Sequence, residues 1–459
     1  MIDNVTNVVF SGTPRSGERI AGELDGPIQI EQTKPAGRGT SAPAAPVTAL
    51  VVALFFGWGF ATVLIDTLIP KLKGLFELNY TEAMLTQFAF FLGYLVFSIP
   101  ASVLLARIGY FCQIVVGLIV MAAGCLLFSP AAQFGIYAGF LLALFILAAG
   151  ITTLQVAANP LIALLGASGS SHARLTLAQA FNSLGTTLGP LVGAALILKG
   201  GVAAPDMAGA APELLESLRK AEANAVQAPF LGIAAVLLAL ALIFWRLRRR
   251  PVVSVTARGA KTGFGFDLLR RPRLGFGAVS IFIYVGAEVS IGSLMISYLM
   301  LDRTLGVAAA TAGQLVALYW GGAMVGRFIG SMALRRIPAG TVLCACAIGA
   351  CLLACLSALS LGVVAAVAVI AIGLCNSIMF PTIFTLAIEG LGDRTPQGSG
   401  LLCLAIVGGA IIPLATGRVA DLAGPSVSLF VPALCYVWIA LYGWLSARLW
   451  RVGATAPAL

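Results

Sequence analysis

The chain has 459 residues, of which 59% are hydrophobic and only 10% charged. Soluble domains sit nearer half apolar and a quarter charged, so the composition excludes a soluble globular protein and indicates a chain built for a lipid bilayer. The formal net charge of +10 is read as basic loops on one side of that bilayer, and no nucleic-acid partner is expected.

Residues 1–47 are polar and rich in Gly, Pro, Ser and Thr, which predicts a disordered cytoplasmic tail. They lack the short apolar core and cleavage site of a signal peptide. Twelve apolar runs follow, each near the roughly twenty residues needed to cross a bilayer. They cover 48–70, 83–106, 112–130, 135–165, 175–198, 228–247, 274–300, 309–334, 340–359, 362–388, 398–418 and 426–447. The connections sort by charge. The side holding the N-terminus collects Arg107, Arg174, Arg335, Arg336, Arg394, Arg448 and Arg451, and the central stretch from Arg246 to Arg273. Positive loops stay inside, so both termini and the central loop are predicted to be cytoplasmic, which an even number of spans requires.

The central loop divides the spans six and six, and three recurrences tie the two sets together. GYLVFSIPASVLLARIG (93–109) resembles GAMVGRFIGSMALRRIP (322–338). Pro160 recurs as Pro381, and Gly185 with Pro190 recurs as Gly408 with Pro413. Similar offsets at three places predict an all-α membrane protein with twelve transmembrane helices in two parallel six-helix halves. The halves are placed at 48–247 and 274–447, joined by a basic cytoplasmic loop at 248–273 and followed by a cytoplasmic tail at 448–459.

Polar side chains inside such runs are costly; they mark ligand pathways or hydrogen bonds between helices. Span 1 carries Asp66, read either as an interfacial acid or as a carboxylate that gains and loses a proton in a water-filled cavity. Trp58, eight residues earlier, either packs or stacks on a ligand ring. Span 4 contains ITTLQVAANP (151–160), in which Gln155 and Asn159 share a helix face. Pro160 there lacks an N–H, frees a carbonyl and permits a bend, and Pro381 holds the matching place in span 10. Span 5 places Gln179 and Asn182 on one face. Span 7 carries Glu288, either a ligand or proton site or the ion-pair partner of Arg327 in span 8. Asn376 in span 10 is read as a packing or a binding residue. The amides are either glue between helices or donors and acceptors for a neutral, hydroxyl-rich ligand.

Other chemistry finds no motif. There is no phosphate loop, dinucleotide fingerprint or nucleophile elbow. The one histidine, His172, is placed in the loop between spans 4 and 5, and no Cys/His spacing suits a metal. The nine cysteines fall in or beside apolar runs and are read as packing residues, not disulfides. No metal, no cofactor and no enzymatic activity are expected. Glu389 and Asp393 are expected to meet arginines of the first half when the cytoplasmic side is shut.

GITTLQVAANPLIALLG (150–166) and HARLTLAQAFNSLG (172–185) resemble the fucose/proton symporter branch of the major facilitator superfamily. So do IDTLIPKLKGLF (65–76), LGYLVFSIPAS (92–102), YVGAE (284–288) and FPTIFTLAIEGLG (380–392). The similarity runs from about residue 50 to 445 and leaves out the tail. It implies uptake of a monosaccharide across a bacterial inner membrane, coupled to an ion gradient by alternating access. In that branch the aspartate matching Asp66 is proton-linked, and a glutamate stands where this chain has Gln155. The asparagines ahead of the aspartate are replaced by Thr62, Val63 and Ile65. Gln155 and YVGAEVSIGS (284–293) resemble the glucose/galactose permease branch, which implies glucose, galactose or a similar hexose in preference to fucose.

The resulting expectation is a monomeric hexose:proton symporter, with sodium as the alternative ion. Asp66 and Glu288 would couple the proton. Trp58, Gln155, Asn159, Gln179, Asn182 and Asn376 would bind the sugar. Pro160 and Pro381 would let helices bend. A proton-driven exporter and a non-transporting sugar sensor are the rival readings.

Overall fold

The computed structural model describes residues 44–66, 80–134, 137–193, 212–248 and 263–449. Regular structure among them is helical throughout. In the first half α1 is Ala44–Asp66, α2 Tyr80–Ile108, α3 Tyr110–Phe134, α4 Tyr137–Leu164, α5 Ser171–Gly193 and α6 Pro212–Leu247. In the second, α7 is Pro272–Met300, α8 Ala309–Ala333, α9 Ala339–Leu359, α10 Gly362–Asn376 and α11 Met379–Ile388. There follow α12 Thr395–Leu404, α13 Gly408–Ala423, α14 Pro425–Ser428 and α15 Phe430–Arg448. A backbone in lipid must satisfy its own polar groups, and a helix of roughly twenty apolar residues does so while crossing the hydrocarbon.

Ten segments among the described residues are long and apolar enough to cross a membrane, and α1 supplies a shorter apolar stretch, Val47–Thr62. The remaining crossing is α5, whose apolar character is diluted by Gln179, Asn182, Ser183, Thr186 and Thr187. With α10 and α11 forming one crossing, α12 and α13 another, and α14 and α15 a third, the molecule has the twelve crossings of two six-helix halves.

The halves repeat one packing scheme. α1 lies on α5 as α7 lies on α13; α2 lies on α4 as α8 lies on α10; α3 lies on α6 as α9 lies on α15. Gly185 and Gly408 show the reason for their recurrence. A Cβ on Gly185 would run into the backbone of Phe56 and Phe60, and one on Gly408 into the backbone of Phe282. Only glycine lets these helix pairs approach so closely.

Three spans are broken where the sequence predicts continuous runs; in span 12 the break is the single residue Leu429, between α14 and α15. Span 10 is interrupted at Ser377 and Ile378, between α10 and α11, and span 11 by a short tight turn at Ala405–Val407. The first break falls just ahead of Pro381, where the missing N–H cannot close the turn. Pro160, in contrast, lies within an unbroken α4. The sixth helix begins at Pro212, well ahead of the predicted 228, because PELLESLRKAEANAVQ (212–227) is polar but made largely of good helix formers.

The halves meet at the end that carries the basic loops. There α5 packs on α8 and α11, and α12 packs on α2 and α4. The start of the second half is also pinned at this end. Arg394 grips Asp267 with two bonds of 2.7 Å, its Nε donates to Gln397, and Gln397 donates to the carbonyl of Gly263. The Arg394 guanidinium holds the exposed Asp267 carboxyl below its usual range.

Candidate functional site

The polar residues of the spans form a continuous thread through the apolar helices. It starts on α1, where Trp58 is buried with its ring tilted against Phe55 at 5.2 Å. Asn182 of α5 reaches this helix by donating to the Phe55 carbonyl at 3.0 Å. One turn earlier on α5, the Gln179 carbonyl accepts a bond of 3.3 Å from Arg327 of α8, and the Ser183 hydroxyl accepts a second, short one. The Arg327 Nε donates at 3.1 Å to the carbonyl of Ser377. That carbonyl lies four residues before Pro381 and is therefore the one whose helical donor the proline removes. Arg327 thus caps the break in span 10 and binds the other half with the same guanidinium.

From the break the thread continues into the second half. The Tyr284 hydroxyl lies 3.1 Å from the Asn376 carbonyl and 2.8 Å from Oε1 of Glu288. The Asn376 amide donates to the Tyr319 hydroxyl at 2.8 Å. Glu288 is partly exposed, while Tyr284, Tyr319 and Asn376 are fully buried. The pair read from sequence between Glu288 and Arg327 is not formed, since the arginine is engaged by Ser377, Gln179 and Ser183. The ion pairs among the described residues are Arg273–Glu389 and Arg394–Asp267. Glu389 therefore meets an arginine in the first turn of α7, in its own half, and not one of the first half as expected.

On α4, Gln155 is almost wholly buried and donates at 2.7 Å to the hydroxyl of Tyr94 on α2. Asn159 is fully buried, and neither its Oδ1 nor its Nδ2 has a hydrogen-bond partner among the described residues. Pro160 frees the carbonyl of Val156, and the Ser399 hydroxyl of α12 fills it at 2.8 Å from the opposite half. Both prolines therefore create a backbone acceptor, and both acceptors are taken by residues at the junction of the halves. His172 stands in the first turn of α5, not in a free loop. Its Nδ1 lies 2.6 Å from the Thr385 hydroxyl of α11. That hydroxyl donates to the Pro381 carbonyl, so the imidazole N–H is the donor across the junction. The side chain of Asp66, the last residue of α1, lies outside the described residues.

The sequence singles out the amides, Glu288 and both prolines. It does not single out Tyr94, Tyr284, Tyr319, Ser183 or Ser399, although Tyr94, Tyr284 and Ser183 sit in quoted motifs. Tyrosine and serine are ordinary in membrane helices, and what distinguishes these five is a partner far away in sequence. Among the described residues no group of three or more His, Cys, Asp and Glu side chains is placed to hold a metal ion.

Residues 47–412 match the Major Facilitator Superfamily. The chain is 48% identical over 401 residues to a glucose/galactose transporter of Brucella abortus, covering 86% of this chain and 92% of that protein. It is 36% identical over 412 residues to the L-fucose-proton symporter of Escherichia coli, covering 86% and 91%. A solved superfamily transporter, FucP, in the outward conformation superposes with a TM-score of 0.81 at 33% identity, over 88% of this chain and 99% of that one. The chain belongs to the Major Facilitator Superfamily, a family of membrane transporters.

Proposed function

We propose that the chain takes up a hexose of the glucose/galactose type by proton-coupled symport with alternating access, as a monomer in a bacterial inner membrane. The observation that carries this reading is the polar thread. It joins an amide-bearing α5 in one half to a carboxylate-bearing α7 in the other, across the junction that an alternating-access carrier must open and close. The similarity to transporters named for glucose/galactose and for fucose with a proton supports the substrate class and the ion. The arginines gathered at one end support cytoplasmic termini. The tight junction at that end, and the likeness to an outward structure, support an outward-facing state.

In this reading Trp58, Gln155, Gln179 and Asn182 meet the sugar. An aromatic face suits the apolar side of a pyranose, and amides offer donors and acceptors to hydroxyls without adding a titratable charge. Asn376 acts one step back, by orienting Tyr319 and accepting from Tyr284. A buried amide without partners is unfavourable by about 1–3 kcal/mol. Asn159 therefore gains its partners in the other conformation or from the sugar. Asp66 and Glu288 carry the coupled proton, and Pro160 and Pro381 mark where helices bend.

The test compares accumulation with exchange. Asp66→Asn and Glu288→Gln should keep hexose exchange across proteoliposomes within about threefold while losing accumulation driven by a proton gradient. Accumulation at the wild-type level by both variants would remove these carboxylates from the coupling step.

A further inference from the structure

Arg327 and Glu288 are charged side chains placed mid-span in the second half, whereas Arg418 and Asp421 lie in the last two turns of α13. A guanidinium stays charged at any accessible pH, and in an apolar interior it needs acceptors wherever it goes. Here its acceptors are all neutral: the Ser377 carbonyl in its own half, and the Gln179 carbonyl and Ser183 hydroxyl in the other half. Alternating access parts α5 from α8 at the basic end. That movement removes two of the three acceptors at once and leaves a half-satisfied charge inside the second half.

The nearest compensation is Glu288, whose Oε1 is held by Tyr284. The titratable groups whose electrostatic influence reaches Glu288 are Arg327 and Tyr319 from α8, Tyr284 from its own helix and Tyr436 from α15. Of these only Arg327 is charged near neutral pH. We propose that Arg327 is a switched partner. It holds the first half through Ser183 and Gln179 while the basic side is closed, and it pairs with Glu288 when that side opens.

The switch gives the proton a direction. While Arg327 is bound to α5, Glu288 has no cation on it and can hold a proton. When Arg327 swings over, the Glu288 O–H bond breaks and the carboxylate pairs with the guanidinium. The proton leaves to water on the side just opened. Closing the basic side returns Arg327 to Ser183 and frees the carboxylate for reloading from the opposite side. Arg327 is therefore a positioning residue for the proton step. The inference rests on the reading of Glu288 as a proton carrier.

The test uses the full chain in proteoliposomes, with Arg327→Gln, Arg327→Lys and Ser183→Ala. Net hexose uptake requires proton release on the basic side, whereas equilibrium exchange does not, so the two are compared with the interior set from about pH 5.5 to about 8.5, roughly either side of neutral. Arg327→Gln should keep exchange within about threefold, slow net uptake about tenfold or more near neutral pH, and move the dependence of uptake on interior pH by about one pH unit toward alkali. Arg327→Lys, which keeps the charge, should recover part of the loss. If Arg327→Gln does not reach the membrane, Ser183→Ala decides. It weakens the closed-state hold and should make half-maximal accumulation need a more acidic exterior by about half a unit. Wild-type profiles in the glutamine variant, or in Ser183→Ala where it alone folds, would overturn the switch. Wild-type protein that moves hexose without protons would instead overturn the coupling itself.

Discussion

Gln155 shows how a single buried amide is made selective. Its nitrogen is fixed on the Tyr94 hydroxyl at 2.7 Å, so its carbonyl oxygen has one orientation and, in the proposed function, presents an acceptor to a sugar hydroxyl. Removing that anchor by Tyr94→Phe leaves Gln155 in place but free to turn. A lost hydrogen bond of this kind is worth about 1–1.5 kcal/mol. The apparent KM for hexose should therefore rise roughly five- to tenfold, with kcat little changed, as measured by initial uptake rates. Asp267 behaves differently because it sits in water. Its carboxyl is held below the usual range by Arg394. A depressed acid stabilises its clamp above the free-aspartate value of about 3.9 and loses that contribution only as pH falls through the depressed value. The clamp should thus be constant from pH 5 to 8. Asp267→Asn should expose the segment around Arg270 and Arg271 to trypsin at neutral pH, read as faster cleavage there in detergent solution.

At the scale of elements, the two prolines are the organising devices. Each removes one N–H, and each freed carbonyl is filled by a side chain at the junction: Ser399 on Val156, and Arg327 on Ser377. The first of these is open to a double-mutant cycle. Ser399→Ala should destabilise the protein, read as a melting temperature lower by a few degrees. In a Pro160→Ala background the helix supplies its own donor to Val156, and the same serine change should have at most half that effect. Additive effects would show that Ser399 does not act through this carbonyl. The elements also show what a sequence discloses. Apolar runs of spanning length, the repeat of Gly185 as Gly408, and the freed carbonyls behind Pro160 and Pro381 are all legible, because each is a local property of the chain. The breaks in spans 10 and 11 are not, because an apolar run looks the same whether or not its backbone turns midway. The early start of α6 at Pro212 is missed because hydropathy marks the membrane, not the helix. Ser399, Tyr94 and the true partners of Arg327 are missed because they are defined by contacts between residues far apart in the chain.

At the scale of the whole molecule, two six-helix halves with matching internal packing meet at their basic end, through α5 with α8 and α11 and through α12 with α2 and α4. Among the described residues the junction is held by few polar bonds: Arg327 with α5, Thr187 with the Met324 sulfur, His172 with Thr385, and Ser399 with Val156. A modest number of bonds suits the proposed alternating access, in which this interface is broken and remade in each cycle, since each net hydrogen bond contributes only about 0.5–1.5 kcal/mol. The account stands on hexose transport driven by a proton gradient. The most direct measurement is uptake of radiolabelled glucose and galactose into proteoliposomes of the purified chain, under an inward proton gradient and, separately, an inward sodium gradient. The account predicts accumulation above equilibrium with the proton gradient, abolished by a protonophore and unaffected by sodium. Accumulation driven by sodium alone, uptake that stops at equilibrium under both gradients, or no hexose uptake at all would contradict it.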